Sequence, residues 1–239
     1  PVFIGDTVEA KATIETIDRE TRIVALVTEI TNQHGATVLR GKARAKVLRL
    51  TSPPARDETQ AELSTSRMLA GRTALVTGAS RGIGRATARL LAANGAKVWI
   101  NYHKSHGAAA DLAEEIRRDA GTCDIVKADV TDAASVRAMM EEVSQAGALD
   151  ILVNNAGPKI TSAPFDRLTT GDMTAAYDAI VGSVFTVTQA ALPHLKKSRG
   201  RIVNVASSAA LQRTAYNWLP YVSAKAALLA MSRNLAQEL

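Results

Sequence analysis

One cysteine, Cys123, occurs in 239 residues, so neither an intrachain disulfide framework nor a cysteine-based zinc site can be built from this chain. A lone thiol fits a reducing compartment, and a cytoplasmic location is the expectation. No run of about 18 uninterrupted apolar residues occurs, so neither a membrane-spanning helix nor a membrane partner is expected. The sequence opens on Pro1, and no basic, apolar, small-residue leader follows it. Concentrated positive charge is missing too. The densest basic patch is Lys196-Lys197-Ser198-Arg199 with Arg201, short of the stripe that nucleic-acid recognition shows, so no nucleic-acid partner is expected. His106 and His194 have no partners at metal-ligand spacing, and no metal site is expected. The net charge of +6 lies wholly after residue 66, because residues 1–66 carry nine basic and nine acidic side chains. Such a modest excess suits a phosphate-bearing small molecule.

What the chain does have is a globular composition, 46% hydrophobic and 22% charged, which excludes wholesale disorder. Its length suits one α/β domain with an appendage. Residues 1–50 alternate strand and turn. Val8, Ala10, Ala12, Ile14 and Ile17 nearly alternate, Asp18-Arg19-Glu20-Thr21 turns, Ile23 to Ile30 is β-branched and apolar, Asn32-Gln33-His34-Gly35 turns, and Thr37 to Leu48 closes the set. Three antiparallel strands cannot bury both faces alone, so this segment needs a partner. Residues 51–67, opening with Pro53-Pro54, read as a linker.

From residue 68 to 239, short apolar runs alternate with amphipathic stretches. Strands are expected at Thr73–Thr77, Lys97–Tyr102, Cys123–Ala128, Ile151–Asn154 and Arg201–Ala206. Helices are expected near Gly82–Asn94, Gly107–Asp119, Ala133–Ala146, Asp172–Lys197 and Val222–Leu239. The alternation implies a doubly wound α/β domain with a parallel sheet covered on both faces, a Rossmann arrangement. Between the first strand and helix lies Thr77-Gly78-Ala79-Ser80-Arg81-Gly82-Ile83-Gly84. Gly78 permits a tight turn, Gly82 lets the backbone approach a pyrophosphate, and Gly84 lets the helix pack closely on the sheet. The helix N-terminus then offers free N–H groups to the anion.

These glycines, with Asn154-Asn155-Ala156-Gly157, Ser208 and Tyr221-Val222-Ser223-Ala224-Lys225, resemble the short-chain dehydrogenase/reductase family over roughly 68–239, and within it the 3-oxoacyl reductases. The resemblance implies a dinucleotide cofactor touched by Gly78, Ser80, Arg81, Gly82, Ile83 and Gly84. It places Asn155, Ala156 and Gly157 on its ribose and nicotinamide side, and Asp129-Val130 by the adenine. It also implies that Tyr221 delivers a proton to a substrate carbonyl, that Lys225 holds the nicotinamide ribose, and that Ser208 hydrogen-bonds the developing alkoxide. Ser207 is the bland neighbour. Tyr221 and Lys225 are four apart on a helix, which puts them on one face and lets the ammonium favour the tyrosinate. The second strand ends Ile100-Asn101-Tyr102-His103-Lys104, without the carboxylate that would accept the 2′-hydroxyl of NAD. Arg81, His103 and Lys104 instead favour a 2′-phosphate, hence NADPH over NADH. Tyr216 and Trp218 either wall the substrate pocket or simply pack. Cys123 reads as a packed apolar residue.

The resemblance departs in two places. The family asparagine five residues before the Phe of a Val-Phe pair falls on Ile180, which has no side-chain hydrogen bond to offer, so no residue is assigned that role. The chain also stops at Leu239, where family members continue with two more strands, a nicotinamide loop and a substrate-covering segment, so it reads as a piece of a longer polypeptide. The amino-terminal fragment resembles the carboxy-terminal half of a MaoC-like hot-dog dehydratase without its catalytic segment, and His34 reads as a turn residue. Fusing hydratase and reductase steps would raise the effective concentration of a shared 3-hydroxyacyl intermediate. The expectation is therefore NADPH-dependent reduction of a 3-oxoacyl thioester of acyl carrier or coenzyme A, by a homo-oligomer of the complete protein. A reductase of another ketone, sugar or steroid carbonyl, or a non-catalytic dinucleotide-binding module, are the alternatives.

Overall fold

The computed structural model describes residues 8–18, 23–32, 36–46, 67–145, 147–160, 162–211 and 215–239. The chain divides into two compact units, Pro1–Ala61 and Glu62–Leu239. In the first, strands β1 (Val8–Asp18), β2 (Ile23–Asn32) and β3 (Thr37–Lys46) form an antiparallel sheet in the order β1-β2-β3. Register shifts interrupt the pairing between Ile14 and Thr16 of β1 and between Ile30 and Thr31 of β2. His34 lies outside the described residues, as does the expected linker 51–67 but for its last residue.

The second unit carries the parallel sheet. Its strands are β4 (Thr73–Val76), β5 (Lys97–Tyr102), β6 (Thr122–Lys127), β7 (Ile151–Asn154) and β8 (Arg201–Asn204), in the order β6-β5-β4-β7-β8. The helices are α1 (Gly82–Ala93), α2 (His106–Arg118), α3 (Ala133–Gln145), α4 (Thr170–Tyr177), α5 (Ser183–Ser198) and α6 (Leu219–Glu238). All four residues of β4 are buried, as a strand covered on both faces requires. Its side chains alternate between two cores. Val76 packs with Val98, Ile100 and the inner faces of α1 and α2, while Leu75 packs with Trp99, Leu152 and the inner faces of α3 and α5. Asp150, just before β7, locks the centre of the sheet: its carboxylate accepts from the Thr73 amide at 2.9 Å and from Arg72 at 2.7 Å. The strand order reverses between β4 and β7, and a ligand crevice is expected at the carboxyl ends of those strands.

Three expectations need correction. The long helix near Asp172–Lys197 is not one α-helix, because α4 and α5 are joined by a π-helical turn, Asp178–Gly182. Two β-branched residues and a glycine, Ile180-Val181-Gly182, weaken the helix there. The hydroxyls of Ser183 and Thr186 donate back to the carbonyls of Ala179 (2.8 Å) and Gly182 (3.0 Å), the back-bonding that bends helices. Second, Thr170–Ser198 contains an 18-residue window of mean hydropathy 1.2, so by length and composition it could cross a membrane. Of that window 39% is buried, and Val184, Val187, Ala191 and Leu195 of the same stretch pack in the cores of the unit. Third, α6 begins three residues before the expected Val222. Pro220 sits in its first turn, where a missing N–H costs nothing, and brings Tyr221 inside the helix.

Candidate active site

A cleft of about 580 Å³ opens over the carboxyl ends of β4, β5, β6 and β7. Gly78, Ser80, Arg81, His103, Lys104, Asp129, Val130, Asn155, Ala156 and Gly157 all line it, so ten of the residues singled out from the sequence converge there. Gly78 has φ +61, and a Cβ on it would lie 2.8 Å from the Ala156 Cα, so the turn between β4 and α1 admits only glycine. Gly84 is buried where a Cβ would run into the Asn155 amide and lie 2.7 Å from the Gly78 carbonyl, which is the close helix packing expected of it. Gly82 and Ile83 open α1 without lining the cleft, and Ile83 is 64% exposed.

No side chain caps α1 and its first turn has no acidic residue, so its first N–H groups remain free for an anion. Ser80 and Arg81 immediately precede that turn. The cleft therefore fits a dinucleotide: Gly78 to Gly84 would hold the pyrophosphate, and the carboxyl ends of β5 and β6 the adenosine. At that end Asp129 faces His103, its Oδ2 3.6 Å from the His103 Nε2. Hydrogen bonds from the Thr131 hydroxyl (2.7 Å) and amide (2.9 Å) hold the Asp129 carboxyl below its usual value. Arg81 and Lys104 make no ion pair among the described residues and line the same cleft.

The catalytic candidates come from the 3₁₀ turn that follows β8 and from α6. Lys225 is buried, and its Nζ donates to the Val205 carbonyl at 2.6 Å and lies 5.9 Å from the centre of the Tyr221 ring. Burial pulls its ammonium below the usual lysine value. Tyr221 lines a cavity of about 120 Å³ beside the cleft, and Pro158 and Lys159 line both. The Trp218 ring meets Tyr221 edge-on at 6.0 Å, so of the two loop aromatics Trp218 packs, while Tyr216 is exposed. Ser208 opens the 3₁₀ turn Ser208–Ala210, which packs against α6, and its side chain is exposed. Ser207 is committed elsewhere, its hydroxyl accepting from the Ala209 amide at 3.2 Å. Ile180 is 1% exposed, packed with Val184, Ala224 and Leu228, and lines the small cavity near Tyr221. Cys123 is buried as expected, and burial raises its thiol. Among the described residues no cluster of His, Cys, Asp and Glu could hold a metal.

Two supporting residues escaped the sequence reading. Asn101, 1% exposed, accepts the Gly78 amide at 3.1 Å and donates to the carbonyls of Ala128 (3.2 Å) and Val126 (3.4 Å). The Thr77 hydroxyl accepts from the amides of Asn155 (2.9 Å) and Ala156 (3.1 Å), and Asn155 returns its amide to the carbonyls of Thr77 and Gly78. The glycine loop is thus braced from both neighbouring strands. A polar residue ending an apolar strand was the only available signal for Asn101.

Comparison with known proteins agrees with this architecture. A hydroxynaphthalene reductase-like protein of Metarhizium guizhouense is 36% identical over 173 residues, 72% of this chain and 64% of that protein, so the chain spans less than two thirds of this relative. A dehydrogenase/reductase from Sinorhizobium meliloti superposes with TM-score 0.69 at 36% identity, over 73% of this chain and 69% of that one. A short chain dehydrogenase from Burkholderia cenocepacia, solved with NADP, gives TM-score 0.67 at 40% identity, over 72% and 69% of the two chains. The short chain dehydrogenase family profile itself matches residues 72–239, and with the braced glycine loop, the strand order and the Tyr221–Lys225 pair, the chain belongs to that family.

Proposed function

We propose that this chain carries the catalytic half-site of an NADPH-dependent reductase that converts a 3-oxoacyl thioester, on acyl carrier or coenzyme A, to the 3-hydroxyacyl thioester. The observation that carries the reductase reading is the buried Lys225 beside Tyr221 on the first two turns of α6. In this reading the Tyr221 phenol donates its proton to the carbonyl oxygen, and the Lys225 ammonium favours the tyrosinate left behind. The Ser208 hydroxyl donates to the oxygen as negative charge develops on it. When bound, the reduced nicotinamide supplies the hydride to the carbonyl carbon. Pro158 and Lys159, shared by the two cavities, lie between the cofactor side and the tyrosine side.

The preference for NADPH rests on Arg81, His103 and Lys104, which line the cleft, and on the end of the second strand, Ile100-Asn101-Tyr102-His103-Lys104, having no carboxylate. The thioester substrate rests on the resemblance of residues 1–50 to a hot-dog dehydratase fragment, which would supply or consume the same 3-hydroxyacyl group. A polycyclic or aromatic ketone is the second reading, favoured by the hydroxynaphthalene reductase-like relative. Turnover of NADPH with acetoacetyl thioesters, aromatic ketones and steroid ketones by the full-length protein separates them. Tight NADPH binding with no turnover on any carbonyl would instead support a non-catalytic binding module. A cytoplasmic homo-oligomer completes the proposal. Tyr177 of α4 and Phe185 of α5 each leave about half their surface exposed, at 51% and 52%, the kind of apolar surface a second copy would cover. Light scattering at micromolar concentration tests it, and a monomer would refute it.

A further inference from the structure

Among the described residues the Lys225 ammonium donates to the Val205 carbonyl at 2.6 Å and lies 5.9 Å from the centre of the Tyr221 ring, while Ala224 and Leu228 of the same helix pack with Ile180. A buried ammonium is costly to displace from its acceptor, so the rotation of α6 about its own axis decides whether Lys225 stays on the Val205 carbonyl and beside Tyr221. Lys225, Leu228 and Ser232 follow one another at three- and four-residue steps and share a face of the helix. One heptad separates Ser232 from Lys225, a drift of about 20° around an ideal helix.

Ser232 is tied to Asn204, the last residue of β8, which immediately precedes the Lys225 acceptor Val205. Its hydroxyl accepts from the Asn204 side-chain amide at 2.8 Å and donates to the Leu228 carbonyl at 2.7 Å. Asn204 in turn accepts from the Asn154 amide at 2.9 Å, and that amide also meets the Thr188 hydroxyl at 3.1 Å. The Val205 amide donates to the Asn154 carbonyl at 2.9 Å, which places the Lys225 acceptor in the same network. The chain of contacts therefore runs from α5 through β7 and β8 to α6.

We propose that Ser232, through Asn204, is a positioning residue that sets the azimuth of α6 and thereby holds Lys225 against Val205 and beside Tyr221. This rests on the reading of α6 as the catalytic helix. Ser232 itself touches neither cofactor nor substrate in this assignment. A helix pinned at Ser232 keeps Lys225 in register with the Val205 carbonyl, just past β8, without help from residue 180, whose side chain has no polar group to contribute.

Ser232→Ala in the full-length protein tests the proposal, because alanine is the best helix former and the variant should fold. Amide exchange in residues 222–230 should quicken by about tenfold, the loss of roughly one net hydrogen bond, while exchange in α1 and α2 stays unchanged. The pH profile of NADPH oxidation with an acetoacetyl thioester should shift, since Lys225 no longer sits in one place, and Ser232→Thr should recover both properties. Wild-type exchange in α6 together with an unshifted pH profile would overturn the proposal. So would a lowered melting temperature with exchange raised equally in every helix. Absence of any carbonyl turnover by the wild-type protein would overturn the reductase reading alone, and α6 exchange would still decide the anchor.

Discussion

Asn101, at the end of β5, accepts the Gly78 amide hydrogen at 3.1 Å beside the carboxyl end of β4. One buried amide thus ties the second strand to the cofactor loop that leaves the first. Asn101→Ala leaves that N–H and the carbonyls of Val126 and Ala128 without their partner. Stability should fall by about 1–3 kcal/mol, the usual cost of an unsatisfied buried polar group. Urea unfolding measures it, and NADPH affinity should weaken in parallel because the loop loses its brace.

Arg81 should contact the 2′-phosphate. A charge-assisted contact of this kind is worth about 1.5–3 kcal/mol, or roughly one to two decades in affinity. Arg81→Ala should weaken NADPH by that factor and leave NADH nearly unchanged in a fluorescence titration. Equal losses for both cofactors would assign Arg81 to the pyrophosphate or to loop structure.

Tyr221→Phe removes the proposed acid while keeping the ring that packs against Trp218. Turnover should drop by about 10²–10⁴-fold, the range that positioned proton transfer contributes, with NADPH affinity within a few-fold of wild type. Wild-type turnover in this variant would remove Tyr221 from the mechanism.

Lys225 makes stability depend on pH in the alkaline range. Burial lowers its folded value beneath the ordinary 10.5, so between the two values the unfolded chain binds more protons than the folded one. Stability contributed this way rises with pH across that window and levels off above about 10.5. Lys225→Met should flatten this slope in melting curves recorded from pH 8 to 10.5, and an unchanged slope would contradict the assignment.

Ile180→Asn restores the side-chain type usual in the family but at a buried site. Ile180 packs with Val184, Ala224 and Leu228, so an amide placed there should cost about 2–4 kcal/mol in lost burial and an unpartnered polar group. Ile180→Val should cost only about 0.5–1.5 kcal/mol. Denaturant unfolding ranks the two. Equal stability of the Asn variant and wild type would mean that the π-turn carbonyls, or water, accept the amide.

The chain itself determined the alternation of strands and helices, since buried parallel strands and amphipathic helices write different periods over a few residues. It also determined the glycine turn at Gly78 and the shared face of Tyr221 and Lys225, both consequences of local backbone geometry. The resemblance to a reductase rested on those same local motifs. Only the tertiary structure decided that Asn101 braces Gly78, that Ser207 caps a turn while Ser208 is left exposed, and that Lys225 bonds to Val205. The π-turn that divides α4 from α5 belongs with these, because helical periodicity reads nearly the same through one widened turn. Asn101 and Gly78 are 23 residues apart, and Asn204 and Ser232 are 28 apart. Pairings at such separations depend on how strands and helices stack, and a polar residue at the end of an apolar strand does not announce which backbone group it will satisfy.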